Sequence, residues 1–303
     1  GASGAIGLRA ADLMPEMPPI DAAVKVRRSL PGSWQEELIG RMGLEGGDVC
    51  LVAPTGSGKT EFALLRNGRR KLIYTLPLRV ALNDLYKERL QKYYGDQVGL
   101  LHSTGFLMIP PPSNDERYDE EWERMAHEIL FLSRNISYPL MLATPDQVLL
   151  SSLGYHGHEK LATYAPYSHL VVDEVQAYNP EMLAIVLESV RSMRRLGAKV
   201  TVTTATLPQF ARGVLESLGI RIVDVEGVAQ GLRADVKNLR TRRHVVRVRE
   251  VRPDDVEGAI VEEALGALTD PSRRLILVAV NTVPRAIRVY RRLRDFAKDR
   301  AGV

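Results

Sequence analysis

The chain has 303 residues, enough for one large domain and part of a second. Apolar residues at 45% and charged residues at 26% fit an ordinary soluble globular protein, and 41 basic against 37 acidic residues leave a net charge of only +4. Any nucleic-acid surface therefore has to be local, and the single cysteine, Cys50, excludes an internal disulfide and a thiolate zinc cluster.

No apolar run approaches the length of a membrane span and no basic-then-apolar leader is seen, so a cytoplasmic protein with no membrane partner is expected. The start at Gly1-Ala2-Ser3-Gly4, without methionine, reads as trimmed. Residues 1–31, rich in Pro, Gly and Ala, read as a loosely held lead-in. Ser33 to Ile39 then suggests a capped helix.

From there apolar strands alternate with helical patterns. Strands are expected at Asp48–Ala53, Lys71–Leu76, Val98–Leu101, Leu140–Ala143, His169–Val172, Val200–Thr204 and Ile220–Val225. Helices are expected at Lys59–Arg66, Val80–Tyr93, Glu120–Ser133, Asp146–Leu153, Glu181–Leu196 and Gln209–Leu218. That rhythm argues for an α/β domain over residues 32–232, a mostly parallel sheet with helices on both faces. Residues 233–252, crowded with Arg240, Arg242, Arg243, Arg247 and Arg249, read as a basic linker and edge strand. Those arginines suit a groove between domains, and equally a solvated edge that discourages aggregation. Residues 253–303 read as the beginning of a second α/β unit: helix Val256–Leu268, strand Arg274–Val280 and basic helix Val283–Phe296.

Two motifs carry the chemistry. In Ala53-Pro54-Thr55-Gly56-Ser57-Gly58-Lys59-Thr60, small residues let backbone N–H groups curl around an anion at a helix start. Lys59 reaches the β- and γ-phosphates of a nucleoside triphosphate, and the Thr60 hydroxyl ligates magnesium. Further on, Leu170-Val171-Val172-Asp173-Glu174-Val175-Gln176 delivers two carboxylates at the carboxyl end of a buried strand, where ligands sit in open α/β sheets. Asp173 is placed to hold the magnesium through water, and Glu174 to polarise the attacking water. Either motif alone is often only a loop or a helix start; each follows an apolar strand here, and both occur in order.

With Thr204-Ala205-Thr206 following these motifs, the chain resembles the superfamily 2 helicases, whose motor is two RecA-like domains. Ala53, where the strict phosphate loop has Gly, gives the A-x-x-G-x-G-K-T variant and points the same way. More narrowly, Tyr74 to Asn83, Ala143 to Val148, Asp173 to Tyr178 and Val278 to Val283 resemble the CRISPR-associated helicases of type I interference systems, over most of the chain from Gln35. The resemblance implies an ATP- and Mg2+-dependent translocase on single-stranded DNA, partnered by a separate HD-type nuclease subunit and the CRISPR surveillance complex. None of the histidines is followed by Asp, so the nuclease would be another chain. His156-Gly157-His158 reads as solvated loop rather than metal site. The family's acidic box usually ends in His; Gln176 still has the hydrogen bonds to bridge nucleotide and Thr-Ala-Thr. The second-domain arginine that stabilises charge on the γ-phosphate has no counterpart before Val303, so this chain alone is expected to be a weak ATPase.

Remaining roles follow from position and resemblance. Gln35 lies where related helicases read the adenine edge, although a surface glutamine needs no such role. Arg79 and Thr144 would grip phosphates of the tracked strand, with Asn281 and Thr282 matching them from the second domain. A solvated loop charge and a turn-former are the plainer readings of Arg79 and Asn281. Thr204 and Thr206 would couple hydrolysis to domain motion. Two other functions stay open: a general superfamily 2 DNA or RNA helicase, and a nucleotide-binding docking module that recruits a partner without turnover.

Overall fold

A computed structural model describes residues 22–103, 105, 119–149, 154, 158–228, 232, 247–268 and 275–301. The chain divides into two units, Gly1–Thr241 and Arg242–Val303.

The first unit is built on a seven-stranded sheet in the order β3-β4-β2-β5-β6-β1-β7, every pair parallel. The strands are β1 (Val49–Val52), β2 (Lys71–Thr75), β3 (Val98–Leu101), β4 (Leu140–Ala143), β5 (Ser168–Val172), β6 (Lys199–Thr204) and β7 (Arg221–Asp224). Every residue of the inner strands β4 and β5 is buried, as expected where helices cover both faces. Strand alternation divides the core in two. Val49, Leu51, Leu72 and Tyr74 join one cluster with Phe62 and Leu82, whereas Cys50 and Ile73 join the other with Leu183, Val186 and Leu215.

The helices are α1 (Ala22–Ser29), α2 (Trp34–Met42), α3 (Lys59–Asn67), α4 (Arg79–Asp84), α5 (Gln91–Tyr94), α6 (Asp119–Arg134), α7 (Pro145–Val148), α8 (His158–Tyr164), α9 (Pro180–Arg195), α10 (Gln209–Ser217) and α11 (Val225–Val228). The strands and most helices fall within a few residues of expectation. The caps agree as well. Ser33 accepts from Glu36 N at 3.4 Å, and Gly43 closes α2 in the left-handed region at φ 62.

Three expectations need correction. The lead-in was expected to be loose, yet α1 lies in it and buries Ala22, Ala23 and Val26 in the first cluster; Tyr94 Oη donates to Ala22 O at 2.6 Å. The helix expected over Val80–Tyr93 is interrupted by a π-helical stretch, Leu85–Leu90. Leu85 and Leu90 are both buried although a regular α-turn puts residues five apart on different sides; i→i+5 pairing widens the turn and brings both inward. Residues 275–280 form no strand, no strand lies beside them among the described residues, and Leu275 and Leu277 are exposed. The second unit is described as α12 (Val256–Leu268) and α13 (Val283–Ala301), joined by Arg288 and Glu257 at 2.7 Å. Residues 247–252 carry no strand either, while residues 1–21, Arg233 to His244 and the His156-Gly157 pair lie outside the described residues.

A buried polar cluster fills the amino ends of β1, β5 and β6. Arg66 donates from Nε to Leu44 O at 2.7 Å, from Nη2 to Gly47 O at 2.8 Å, and from Nη1 to Thr201 Oγ1. Asn67 Nδ2 donates to Arg70 O at 2.7 Å, so its Oδ1 accepts from His169 Nδ1–H at 3.0 Å. In the neutral ring Nε2 is then the acceptor, and it takes the Thr201 hydroxyl hydrogen at 2.6 Å. Burial, and the nearby charges of Lys199, Arg66 and Arg70, push the His169 pKa well below 6.5.

Arg66→Ala strands these acceptors, and urea unfolding is expected to show a loss of about 3 kcal/mol, only partly recovered by Arg66→Lys. Because folding favours neutral His169, the unfolded chain binds the extra proton below pH ~6.5, and stability falls as pH drops through that value. His169→Gln should flatten that acid limb in melts taken from pH 7 to 5; an unchanged slope rules the assignment out.

Candidate active site

The phosphate-loop sequence forms the turn from β1 to α3. Gly56 and Gly58 have φ of 74 and 93, the left-handed region that a side chain disfavours. At Gly58 space is limiting too, since a Cβ there would lie 2.2 Å from Gln35 Nε2. Gly58 is also the N-cap of α3 and offers no side-chain cap, so the first N–H groups of the helix are left for an anion. Ser57 Oγ is buried with no hydrogen-bond partner, an orphan polar atom of the kind a phosphate oxygen would satisfy.

The loop is clasped from the start of α2. Trp34 Nε1 donates to Ser57 O at 3.1 Å, and Gln35 Nε2 donates to Ser57 O and Gly58 O at 3.3 and 3.2 Å. The amide of Gln35 is thus engaged with the loop backbone in this structure.

The acidic box emerges at the carboxyl end of β5. Asp173 is buried and its carboxylate accepts from Tyr74 Oη, Thr203 Oγ1 and the Glu174 amide, the last at 2.8 Å. Burial raises its pKa, and the hydrogen bonds from Thr203 and Tyr74 oppose that rise. Glu174 is one of two non-glycine residues with positive φ among the described residues, at φ 55. Such a conformation costs on the order of 1 kcal/mol and persists only when held. Here Glu174 Oε1 lies 3.3 Å from Lys59 Nζ, and Oε2 accepts from Gln176 Nε2. Lys59, Asp173 and Glu174 are therefore brought together.

Gln176 extends this contact to β6. Its Oε1 accepts from Ala205 N at 3.3 Å and lies 2.5 Å from Thr204 Oγ1. Thr204 Oγ1 is also 2.5 Å from Thr206 O, so one hydroxyl hydrogen serves two acceptors. Thr206 itself is exposed.

A pocket of about 580 Å³ runs along this edge, lined by Gln35, Gly56 to Thr60, Asp173 and Glu174 on one side. Its far wall includes Leu30, Ala81, Leu85 and Arg89, and Arg89 pairs with Glu61 at 2.8 Å. The size suits a nucleotide. No group of three or more His, Cys, Asp or Glu side chains is placed to hold a metal among the described residues. Magnesium takes one or two protein oxygens and keeps water and phosphate for the rest. Thr60 and Asp173 carry oxygens of that kind, and both hydrogen-bond the Tyr74 hydroxyl, Thr60 at 3.3 Å.

Arg79 and Thr144 stand apart from the pocket, after β2 and β4, which are adjacent in the sheet. Arg79 Nη1 donates to Ser103 Oγ at 2.7 Å, and His102 Nε2 lies 2.8 Å from Asn83 Oδ1. Thr144 is buried and caps α7. Asn281 and Thr282 belong to the second unit, where Asn281 Oδ1 accepts from Arg285 Nη1 at 3.0 Å and Thr282 O begins α13. Sequence reasoning missed Trp34, Tyr74, Thr203 and Arg89. Tyr74 and Thr203 read as ordinary strand formers, and only pairing β2 and β6 beside β5 reveals their hydroxyls.

The sequence profile of the DEAD/DEAH box helicase family matches residues 33–214. CRISPR-associated nuclease/helicase Cas3 of Methanothermobacter thermautotrophicus is 36% identical over 285 residues, which is 91% of this chain and 33% of that protein. CRISPR-associated endonuclease/helicase Cas3 of Thermus thermophilus is 30% identical, over 81% of this chain and 29% of the relative. The crystal structure of T. fusca Cas3 with ATP superposes with a TM-score of 0.50 at 24% identity, over 80% of this chain and 28% of that one, which shows a common fold. The chain thus spans about a third of the length of these relatives. The RecA-like α/β architecture and the resemblance drawn from the motifs are both borne out. No helix among the described residues is long and apolar enough to cross a membrane.

Gly58→Ala is expected to weaken nucleotide binding at least about tenfold with little change in the melting of the sheet, because it displaces Gln35 and strains the loop. Trp34 reports on the same contact: in a Trp122→Phe background, its fluorescence should change on adding Mg·ATP and stay flat in the Gly58→Ala chain.

Proposed function

Because this chain belongs to the DEAD/DEAH box helicase family, we propose that it is the ATP-binding part of a motor that moves along single-stranded DNA in CRISPR type I interference. The observation that carries this reading is the meeting of Lys59 with Glu174 at 3.3 Å, beside the buried Asp173, in one pocket. In the proposed site the N–H groups of Gly56 to Thr60, the Ser57 hydroxyl and the Lys59 ammonium receive the β- and γ-phosphates. Thr60 and Asp173 hold magnesium, which when bound neutralises charge on the phosphate oxygens.

The ion pair between Lys59 and Glu174 gives the order of events. A triphosphate draws Lys59 towards its own oxygens, and the Glu174 carboxylate is released to accept a hydrogen bond from water. That water oxygen bonds to the γ-phosphorus as the bond to the β–γ bridging oxygen breaks, giving ADP and phosphate, while Glu174 takes the proton. Gln176 holds the second oxygen of Glu174 and touches Thr204, so a shift of Glu174 redistributes the Thr204 hydrogen between Gln176 and Thr206 O. Residues 32–232 form the first RecA-like domain in this reading and residues 253–303 the start of the second. Gln35 supports the loop and offers its Oε1 to the adenine amine.

Arg79 and Thr144 would hold phosphates of the DNA strand on the neighbouring stretch of the sheet edge, with Asn281 and Thr282 serving the second unit. Contacts to phosphate rather than bases suit a motor that must hold any sequence. The relatives' names pair nuclease with helicase. Since no histidine here is followed by Asp, the nuclease partner would be a different chain or segment, with the surveillance complex supplying the displaced strand.

Binding of Mg·ATP by the purified chain, and turnover in a longer protein that joins it to a complete second motor domain, test this reading. Glu174→Gln should keep nucleotide binding and lose turnover by about a hundredfold or more, whereas Lys59→Ala should lose binding itself. Single-stranded DNA should stimulate turnover and RNA should not, and Arg79→Ala should weaken the DNA effect while lowering its salt dependence by about one counterion. Equal stimulation by RNA would move the chain to a general helicase role, and tight binding without any turnover to a docking role.

A further inference from the structure

Tyr74, next to last in β2, is a fully buried residue whose ring packs in the first core cluster. Its hydroxyl donates to Asp173 Oδ2 and lies 3.3 Å from Thr60 Oγ1. The directions follow from counting hydrogens. A carboxylate only accepts, so the one phenolic hydrogen goes to Asp173, and the contact to Thr60 requires that Thr60 donate. The Thr60 hydrogen is thereby turned towards Tyr74, and its oxygen lone pairs face away from the ring. Asp173 Oδ1 is already occupied by Thr203 and the Glu174 amide, so Tyr74 is what aligns Oδ2.

We propose that Tyr74 is a positioning residue for the cation: its hydroxyl links the Thr60 hydroxyl to the Asp173 carboxylate and orients both oxygens towards one divalent ion, Thr60 as ligand and Asp173 through water. This rests on the nucleotide reading above. It gives a buried, chemically inert tyrosine a task that a Phe of nearly the same shape does not perform. Outer hydrogen bonds of this kind orient ligands and typically set metal affinity by one to two orders of magnitude.

The test is Mn2+ binding followed by electron paramagnetic resonance in the presence of a non-hydrolysable ATP analogue. Tyr74→Phe should raise the Mn2+ half-saturation concentration by about tenfold or more, while binding of the analogue in EDTA is unchanged. The effect should be non-additive with Thr60→Val, since both remove the same link. A Tyr74→Phe chain with wild-type Mn2+ affinity overturns the proposal, as does full additivity. A wild-type chain that binds neither analogue nor Mn2+ overturns the nucleotide reading and this inference with it. Should Phe at 74 impair folding, 3-fluorotyrosine placed at that position keeps the hydroxyl. Its fluorine resonance is expected to shift when Mg2+ is added to the analogue-bound chain, and a resonance blind to Mg2+ sinks the idea.

Discussion

All seven strands of the first unit run the same way, and that single constraint decides where chemistry is possible. A parallel strand needs a crossover before the next begins, so the chain leaves every strand at one edge and returns at the other. The phosphate loop leaves β1, Arg79 follows β2, Thr144 follows β4, the acidic pair follows β5 and Thr204 ends β6. Residues more than a hundred positions apart in sequence, such as Lys59 and Glu174, become neighbours because β1 and β5 both flank β6. The order along the sheet also separates two stretches of that edge. The candidate nucleotide pocket centres on the ends of β1, β5 and β6 and is walled by residues after β2, whereas Arg79 and Thr144 follow β2 and β4 outside its lining.

The opposite edge is used differently. There Arg66, Thr201, His169 and Asn67 form a continuous run of hydrogen bonds. Desolvation brings the Arg66 pKa down to about 10, and four acceptors hold the charge in place. At the carboxyl edge the accounting is left open: Ser57 Oγ is unpartnered, Glu174 is held left-handed, and Thr204 divides one hydrogen between two oxygens. Satisfied polar groups make one edge rigid, and unsatisfied or strained ones mark the other as the place where a ligand completes the structure.

Legibility in the sequence follows the same division. Strands buried on both faces read directly as short apolar runs, and the two motifs placed the phosphate loop and acidic box because their chemistry is local in sequence. What could not be read was either long-range or compensatory. Tyr74 and Thr203 matter through neighbours fixed only by strand order. Trp34 matters because α2 folds back on the loop. The π-helical turn at Leu85–Leu90 offsets an apolar spacing that a regular helix would have placed on two sides. The residues 275–280 misled for the converse reason: their composition is that of a buried strand, but burial needs partner strands, and none lies beside them among the described residues.

The π-helical turn also bears on how the pocket meets the neighbouring surface. Arg79, at the start of α4, and Arg89, within the widened turn, belong to one continuous helical segment that runs to Tyr94. Arg79 touches Ser103 beyond β3, while Arg89 pairs with Glu61 in the first turn of α3, next to Lys59 and Thr60. The wide turn that carries Arg89 pairs its backbone at i→i+5 spacing instead of the usual ladder. One helical segment thus touches the wall of the pocket through Arg89 and a residue after β3 through Arg79. The contacts from Glu174 through Gln176 to Thr204 lead instead to β6, and β2 and β6 lie on opposite sides of β5, so the pocket is tied to the sheet edge from both sides.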